Sequence, residues 1–258
     1  MPNFHRTTPP APSGVLGLIP GAGPGSADAP LPTASAGDLR ALLDGLAKLG
    51  HEVPSLPAAA GLKPADLEDP DARLSCAVYG SILGAAQARR FTPNLALRLA
   101  AETPLGAFPL LDYLVTTSDD VLAGLKNLVR YFRIVSNPMT LDLRDERDGF
   151  RLVMVGPGNS FGVEFTASLA VFHLRRETDG KFKAERLSLS HRPDDAAEFE
   201  RMVGCPVDTE AVWSGLALSN ETAALPPAVA IRSCGSCLSG SPRPLPHVIE
   251  AKGSSFER

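Results

Sequence analysis

The stretch VLAGLKNLVRYFRIVSNPMTLDLRDERDGFRLVMV, residues 121–155, decides the fold. Its first half puts Val121, Leu122, Leu125, Leu128, Val129 and Phe132 at helical spacing, with Lys126, Arg130 and Arg133 off that stripe. This predicts an amphipathic helix with one face against a core. Just upstream, Ser118 is the expected N-cap, and Asp119 and Asp120 fall in the first turn, where the helix dipole favours anions. The helix should end near Ser136 and Asn137, because Pro138 disfavours helical backbone in the residue before it. The period then changes. Thr140 to Arg144 alternates and Phe150 to Val155 is a strand-like run, with Asp148-Gly149 between them as a hairpin turn signal.

Working outward, Phe161 to Arg175 returns to helical spacing through Phe161, Phe165, Leu169 and Phe172. Arg186 to His191 alternates as a strand, Pro193 to Val203 reads as a short helix stopped by Gly204, and Val207 to Leu218 reads as one or two short strands. Upstream, Leu39, Leu42, Leu43, Leu46 and Leu49 mark a helix stopped by Gly50, and a short helical or turn region runs through Leu56 to Gly61. Asp69-Pro70-Asp71 reads as the start of a helix running to about Arg90, and Pro93 to Glu102 as another short helix. Helices come first, then strand, strand, helix, strand, helix, strand. The expected class is α+β: an N-terminal helical half followed by a small, mainly antiparallel sheet with packed helices.

The chain has 258 residues, 44% of them hydrophobic and 21% charged, ample for one sizeable core. No run approaches the roughly 20 apolar residues of a membrane helix. Residues 1–36 hold eight prolines and five glycines with only Arg6 and Asp28 charged, so they bury too little apolar surface to offset ordering entropy. Residues 226–258 are similar, with five prolines, three glycines and six serines. The expected organisation is a disordered tail over 1–36, a folded domain over 37–225, and a disordered or aberrant tail over 226–258. A secretory signal is not expected, since Val15 to Ile19 is broken by Gly17 and ended by Pro20, and four cysteines make no disulfide framework. The expected location is therefore cytoplasmic. With the C-terminal tail at +2 and the whole chain at −4, the core carries −6, which argues against a broad phosphate-binding surface.

Several local patterns suggest chemistry. Gly158-Asn159-Ser160-Phe161-Gly162 fits G-x-S-x-G between a strand and a helix. A serine hydrolase would use Ser160, with His173 or His191 as base and Asp179, Asp194 or Asp195 as orienter. The preceding hundred residues read as helices rather than βα units, so a tight turn and helix cap is the stronger reading and no enzyme is expected. Gly156-Pro157-Gly158 and the glycines of 21–25 lack the Lys-Ser/Thr or strand–helix context of a phosphate loop. Cys234-Gly235-Ser236-Cys237 is a lone C-x-x-C, with Cys76 and Cys205 far away in sequence, so neither metal nor cofactor is expected. Glu164 falls mid-helix among apolar residues and needs a partner, for which Arg130, Arg133 and Arg151 are candidates.

A set of segments follows one another in a familiar order. They are Leu39–Leu49 with Gly61-Leu62, Leu67 to Leu74, Gly106-Ala107-Phe108 with Leu111-Asp112-Tyr113-Leu114, Thr117-Ser118 and Leu128 to Arg133. Glu164, Arg175, His191 with Pro193, Gly204-Cys205-Pro206-Val207 and Gly215-Leu216 complete it. Over about 37–225 this resembles the N-terminal effector-sensing domain of AraC-type transcription regulators, in the subgroup named the arabinose-binding domain. The resemblance implies a cytoplasmic ligand sensor that binds a small-molecule effector and supports dimerisation. DNA binding would lie in a separate C-terminal pair of helix-turn-helix motifs, which the 33 residues after Leu225 are too few to hold. The chain is thus expected to be a sensor truncated before its DNA reader, pairing with itself or with an intact relative. Tyr113, Arg130, Tyr131, Arg133, Glu164 and His191 are the expected ligand-binding residues, in a pocket between the helical half and the sheet. A bidentate hold on an acidic effector by Arg130 or Arg133 is one reading of their charge, a solvated helix face is the stronger one, and the sequence does not identify the effector.

Overall fold

The computed structural model describes residues 33–135, 139–156 and 160–228. The C-x-x-C pair, the glycines of 21–25 and most of both expected tails lie outside the described residues.

The helical half is built on a short pairing that the sequence reading missed. Strand β1 (Thr33–Ser35) runs antiparallel to β2 (Arg73–Ser75), and each ends on a serine that caps the next helix. Ser35 caps α1 (Ala36–Lys48) in a capping box with Asp38. Ser75 caps α3 (Cys76–Arg89). So Asp69-Pro70-Asp71 does not start the third helix: those residues form turns, and the strand intervenes. Residues 33–35, which lie within the stretch expected as the N-terminal tail, form β1. Between α1 and β2 lie α2 (Leu56–Ala59) and a 3-10 turn (Pro64–Leu67). Gly50, at φ +81°, occupies the left-handed region that ends α1. Helix α4 (Leu95–Glu102) follows, then α5 (Pro109–Thr116), which no periodicity had revealed.

Helix α6 (Val121–Val135) carries the amphipathic stripe. Its cap is Asp120, whose Oδ1 accepts from the Ala123 amide at 2.7 Å, rather than Ser118, whose hydroxyl donates to the Leu114 carbonyl. Strands β3 (Thr140–Glu146) and β4 (Gly149–Val155) form the expected hairpin with Leu141 opposite Met154 and Leu143 opposite Leu152. Then come α7 (Ser160–Glu177), β5 (Arg186–Ser188), α8 (Ala196–Val203), β6 (Val207–Asp208), β7 (Gly215–Ser219) and the short α9 (Asn220–Ala223). The sheet order is β3-β4-β7-β5-β6, antiparallel except for the β5–β6 pair, which α8 connects as a βαβ unit.

The register gives the sheet two unlike faces. Leu141, Leu152, Met154, Leu187, Leu216 and Leu218 point to the buried side. The other side carries ion pairs, Arg144 with Asp142 and Arg186 with Asp208, and Arg151 stands over the Trp213 ring at 4.4 Å. Leu39, Leu46, Ile82 and Leu99 anchor a second cluster in the helical half. Helices α4 and α7 join the two: Leu97 and Val171 belong to the sheet-side core, Leu95 and Leu99 to the helical one, against which Phe161 and Phe165 also pack. Burying some 30 such apolar side chains, at about 1.5–3 kcal/mol each, is the main drive to this fold.

Candidate functional site

Helices α5, α6 and α7 lie over the hairpin β3–β4, and a cavity of about 70 Å³ remains between them. Its walls follow from helical spacing. From α7 come Thr166, Leu169, Ala170, His173, Leu174 and Glu177, one stripe that spans about 16 Å over its 11 steps at 1.5 Å per residue. Helix α6 gives Leu125, Leu128 and Phe132, and the sheet gives Leu141, Leu152 and Met154. Phe108, Asp112 and Val115 come from α5 and its entry, with Leu105 at the edge. The walls are apolar except for Thr166 at one end of the α7 stripe and the group of Asp112, His173 and Glu177 at the other, where α7 finishes.

That end is organised around His173. Its Nδ1 is 2.9 Å from Asp112 Oδ1, and its Nε2 is 3.3 Å from the Thr103 carbonyl oxygen. Both partners only accept, so a neutral ring donates to one of them and only a doubly protonated ring donates to both. The other Asp112 oxygen accepts from the amides of Gly106 (2.7 Å) and Phe108 (3.3 Å), which ties the loop before α5 to its first turn. Arg176 donates to the carbonyls of Thr103 and Ala101, closing the C-terminal end of α4. Glu177, one turn beyond His173, makes no side-chain hydrogen bond or ion pair with any described residue. Burial, and next the charge of Asp112, push its carboxyl above the ordinary range, an effect His173 partly offsets.

The six expected ligand residues do not converge on this cavity, and none of them lines it. Glu164 and His191 do meet: Glu164 Oε1 is 2.6 Å from His191 Nε2, pinning the loop after β5 to α7. Glu164 therefore has a histidine partner rather than an arginine. Arg151 pairs instead with Glu146, and Arg130 lies over the neighbouring Tyr131 ring. Arg130 and Arg133 are exposed, and Tyr113 is 64% exposed. Phe108 and Phe132 are the aromatic residues that line the cavity. Phe161 and Phe165 stack on each other, and Phe108 meets Phe165 edge-on.

The hydrolase constellation does not assemble among the described residues. Gly158 and Asn159 lie outside them, and Ser160 opens α7. His173 sits 13 residues further along the same helix, about 20 Å away by its rise, with both ring nitrogens engaged. His191 is held by Glu164. Asp194 accepts from the Asn94 amide, and Asp195 caps α8. Burial pushes the Cys205 thiol up to about 11 and raises that of Cys76, which makes neither an activated nucleophile. No three His, Cys, Asp or Glu side chains among the described residues are grouped to hold a metal ion. No helix of the described residues is long and apolar enough to cross a membrane.

A search of curated proteins finds no match to the sequence. Among solved structures, the fold is similar to that of the transcriptional regulator CdpR from Pseudomonas aeruginosa, with a TM-score of 0.54 at 16% identity. That likeness covers 75% of this chain and 58% of the other, so the chain spans just over half the length of the regulator it resembles. Residues 50–227, from the end of α1 to the end of the described chain, match the family described as the arabinose-binding domain of AraC transcription regulator, N-terminal. With more than half its length inside that match, the chain belongs to the family of N-terminal arabinose-binding domains of AraC-type transcription regulators.

Proposed function

We propose that this domain senses a small-molecule effector and that the cavity beneath α5, α6 and α7 receives it. The observation that carries this reading is a cavity with apolar walls and one polar end, set where three helices meet the sheet, in a chain of a regulator family. Filling the cavity would favour one packing of α5 and α6 over another. Such a shift is only as large as the ligand's differential affinity for the two packings. Pairing of two sensor domains, with each other or with a full regulator that carries the DNA reader, belongs to the same proposal, as does work in the cytoplasm.

A thermal-shift screen tests it. A ligand at 100 times its Kd stabilises by about 2.7 kcal/mol, which for a domain of this size raises Tm by roughly 5–10 °C. The expected result is that hits stabilise the wild type and lose their effect in Ala170→Leu, which fills the cavity from α7. Hits that stabilise both proteins equally would move the sensing site elsewhere.

A further inference from the structure

The cavity has a charge polarity that says what kind of molecule suits it. The residues that line it include two carboxylates, Asp112 and Glu177, and no lysine or arginine. The two carboxylates stand at the same end as His173: Glu177 is one helical turn past it, and Asp112 is bonded to it. That end is also where α7 finishes, so the carbonyl end of its dipole adds negative potential. The two arginines of the last turn are turned to other work. Arg176 donates to Thr103 and Ala101, Arg175 donates to the Val203 carbonyl, and neither lines the cavity.

Asp112 already has three donors, in His173 and the amides of Gly106 and Phe108. Glu177 has none among the described residues, although it is half-buried against the other carboxylate. A carboxylate so placed is best satisfied by a cation or a strong hydrogen-bond donor brought by a ligand. A ligand carboxylate or phosphate would meet two like charges in a partly desolvated slot. Apart from Thr166 at its far end, the rest of the slot is apolar wall along the α7 stripe, which suits an extended hydrocarbon body.

We infer that the cavity takes an extended hydrophobic amine, its apolar body along α7 between Leu128, Leu152 and Ala170 and its ammonium group at Glu177. This rests on the reading that the cavity is the effector site, and it supplies a ligand class that the sequence leaves open.

Three probes of one chain length separate the classes: n-hexylamine, n-hexanol and n-hexanoate, titrated at pH 7 into isotopically labelled protein while its methyl resonances are followed. The expected result is that hexylamine shifts the methyls of Leu128, Leu152 and Ala170 and binds at least ten times tighter than hexanoate, with hexanol between. Glu177→Gln keeps the shape and removes the charge, so it should narrow the amine-over-hexanoate ratio at least threefold while leaving hexanol unchanged. Hexanol or hexanoate binding at those methyls as tightly as the amine, in wild type, would overturn the ligand class and leave the cavity as a sensing site. If no probe shifts those methyls at millimolar concentration while the protein remains folded, both the class and the cavity reading fail.

Discussion

His173 of α7 and Asp112 of α5 are joined by a 2.9 Å contact that closes one end of the cavity. The bond matters because Asp112 also holds the loop before α5 through the amides of Gly106 and Phe108, so one carboxylate couples that loop, α5 and α7. Asp112→Ala leaves those two amides and a ring nitrogen without their acceptor, and should cost about 2–4 kcal/mol of unfolding free energy. Asp112→Asn should recover most of it. Its amide oxygen can accept from Gly106 while its NH₂ group donates to Nδ1 of a neutral ring protonated on Nε2. Urea unfolding of the two variants checks this, and an alanine variant within 0.5 kcal/mol of wild type would show that the coupling is ornamental.

Asn94 is the counterpart on the other side of α4. It has a left-handed backbone at φ +48° and is almost wholly buried. Its side-chain amide and the Asp195 backbone hydrogen-bond in both directions, at 2.8 and 3.0 Å, in imitation of a strand pair. Glu198 joins in, accepting from Asn94 and pairing with Arg98. Asn94→Ala removes the bonds and keeps the backbone strain, for an expected loss of about 3 kcal/mol. Asn94→Gly removes the same bonds but relieves the strain, so it should be less damaging by about 1 kcal/mol. Equal losses in the two variants would mean that the left-handed conformation costs nothing here.

What the sequence disclosed and what it hid have the same cause. Elements with a clear period against one core were legible: α1, α6, the β3–β4 hairpin and α7. Three-residue strands such as β1 and β2 have no room for a period, and their pairing joins residues 40 apart, so Asp69-Pro70-Asp71 passed for a helix start. Helix α5 is a two-turn element whose apolar residues sit next to one another, Leu110 and Leu111, Leu114 and Val115, which blurs any stripe. The cavity was hidden for a different reason. Each of its walls is an ordinary core stripe, and only their spacing in three dimensions leaves a void. The α7 stripe Thr166, Leu169, Ala170, His173, Leu174, Glu177 did carry one clue, since an apolar helix face that ends in two titratable groups needs an account of them. The arginines of α6 carry no such clue, because charge at helical spacing reads as a site or as a solvated face, and the second is the stronger reading.

Two glycines make the middle of the sheet possible. A Cβ on Gly149 would lie 1.9 Å from the Leu218 carbonyl oxygen, and one on Gly215 would lie 1.9 Å from that of Leu152. These positions stand at opposite ends of the β4–β7 pair, opposite Ser219 and Val153 respectively. Backbone cannot yield as a flexible side chain does, so Gly149→Ala and Gly215→Ala must each part the strands locally. The expected cost is about 3 kcal/mol or more, of the order seen for severe strain or overpacking. Gly61, at φ +80° with nothing near its missing Cβ, is the control for conformation without a clash: Gly61→Ala should cost about 1 kcal/mol. Thermal or urea unfolding of the three variants should rank them so, and a mild Gly215→Ala would mean that β7 is free to shift away from β4.

Glu177 is where stability and binding should pull apart. Its carboxyl is raised in the folded protein by burial and then by Asp112, so the folded state holds the proton more tightly than the unfolded chain. The sign follows: this contribution to stability is fully present below the unfolded carboxyl range and is lost as pH rises through the folded value. At neutral pH the ionised Glu177 is a liability when nothing answers its charge. Glu177→Gln should therefore raise the Tm of the ligand-free protein at pH 7. The gain should shrink as pH falls toward the ordinary glutamate range, where the wild type is protonated as well. The same substitution should weaken the hold on an amine probe, so the variant would be the more stable protein and the poorer receptor. That trade is expected of a group kept for its ligand rather than for the fold. Melting curves at pH 4 and pH 7, with and without hexylamine, read both effects at once. A variant that melts lower than wild type at pH 7 without ligand would show that Glu177 already has a favourable partner, and would remove the reason to assign it one from outside.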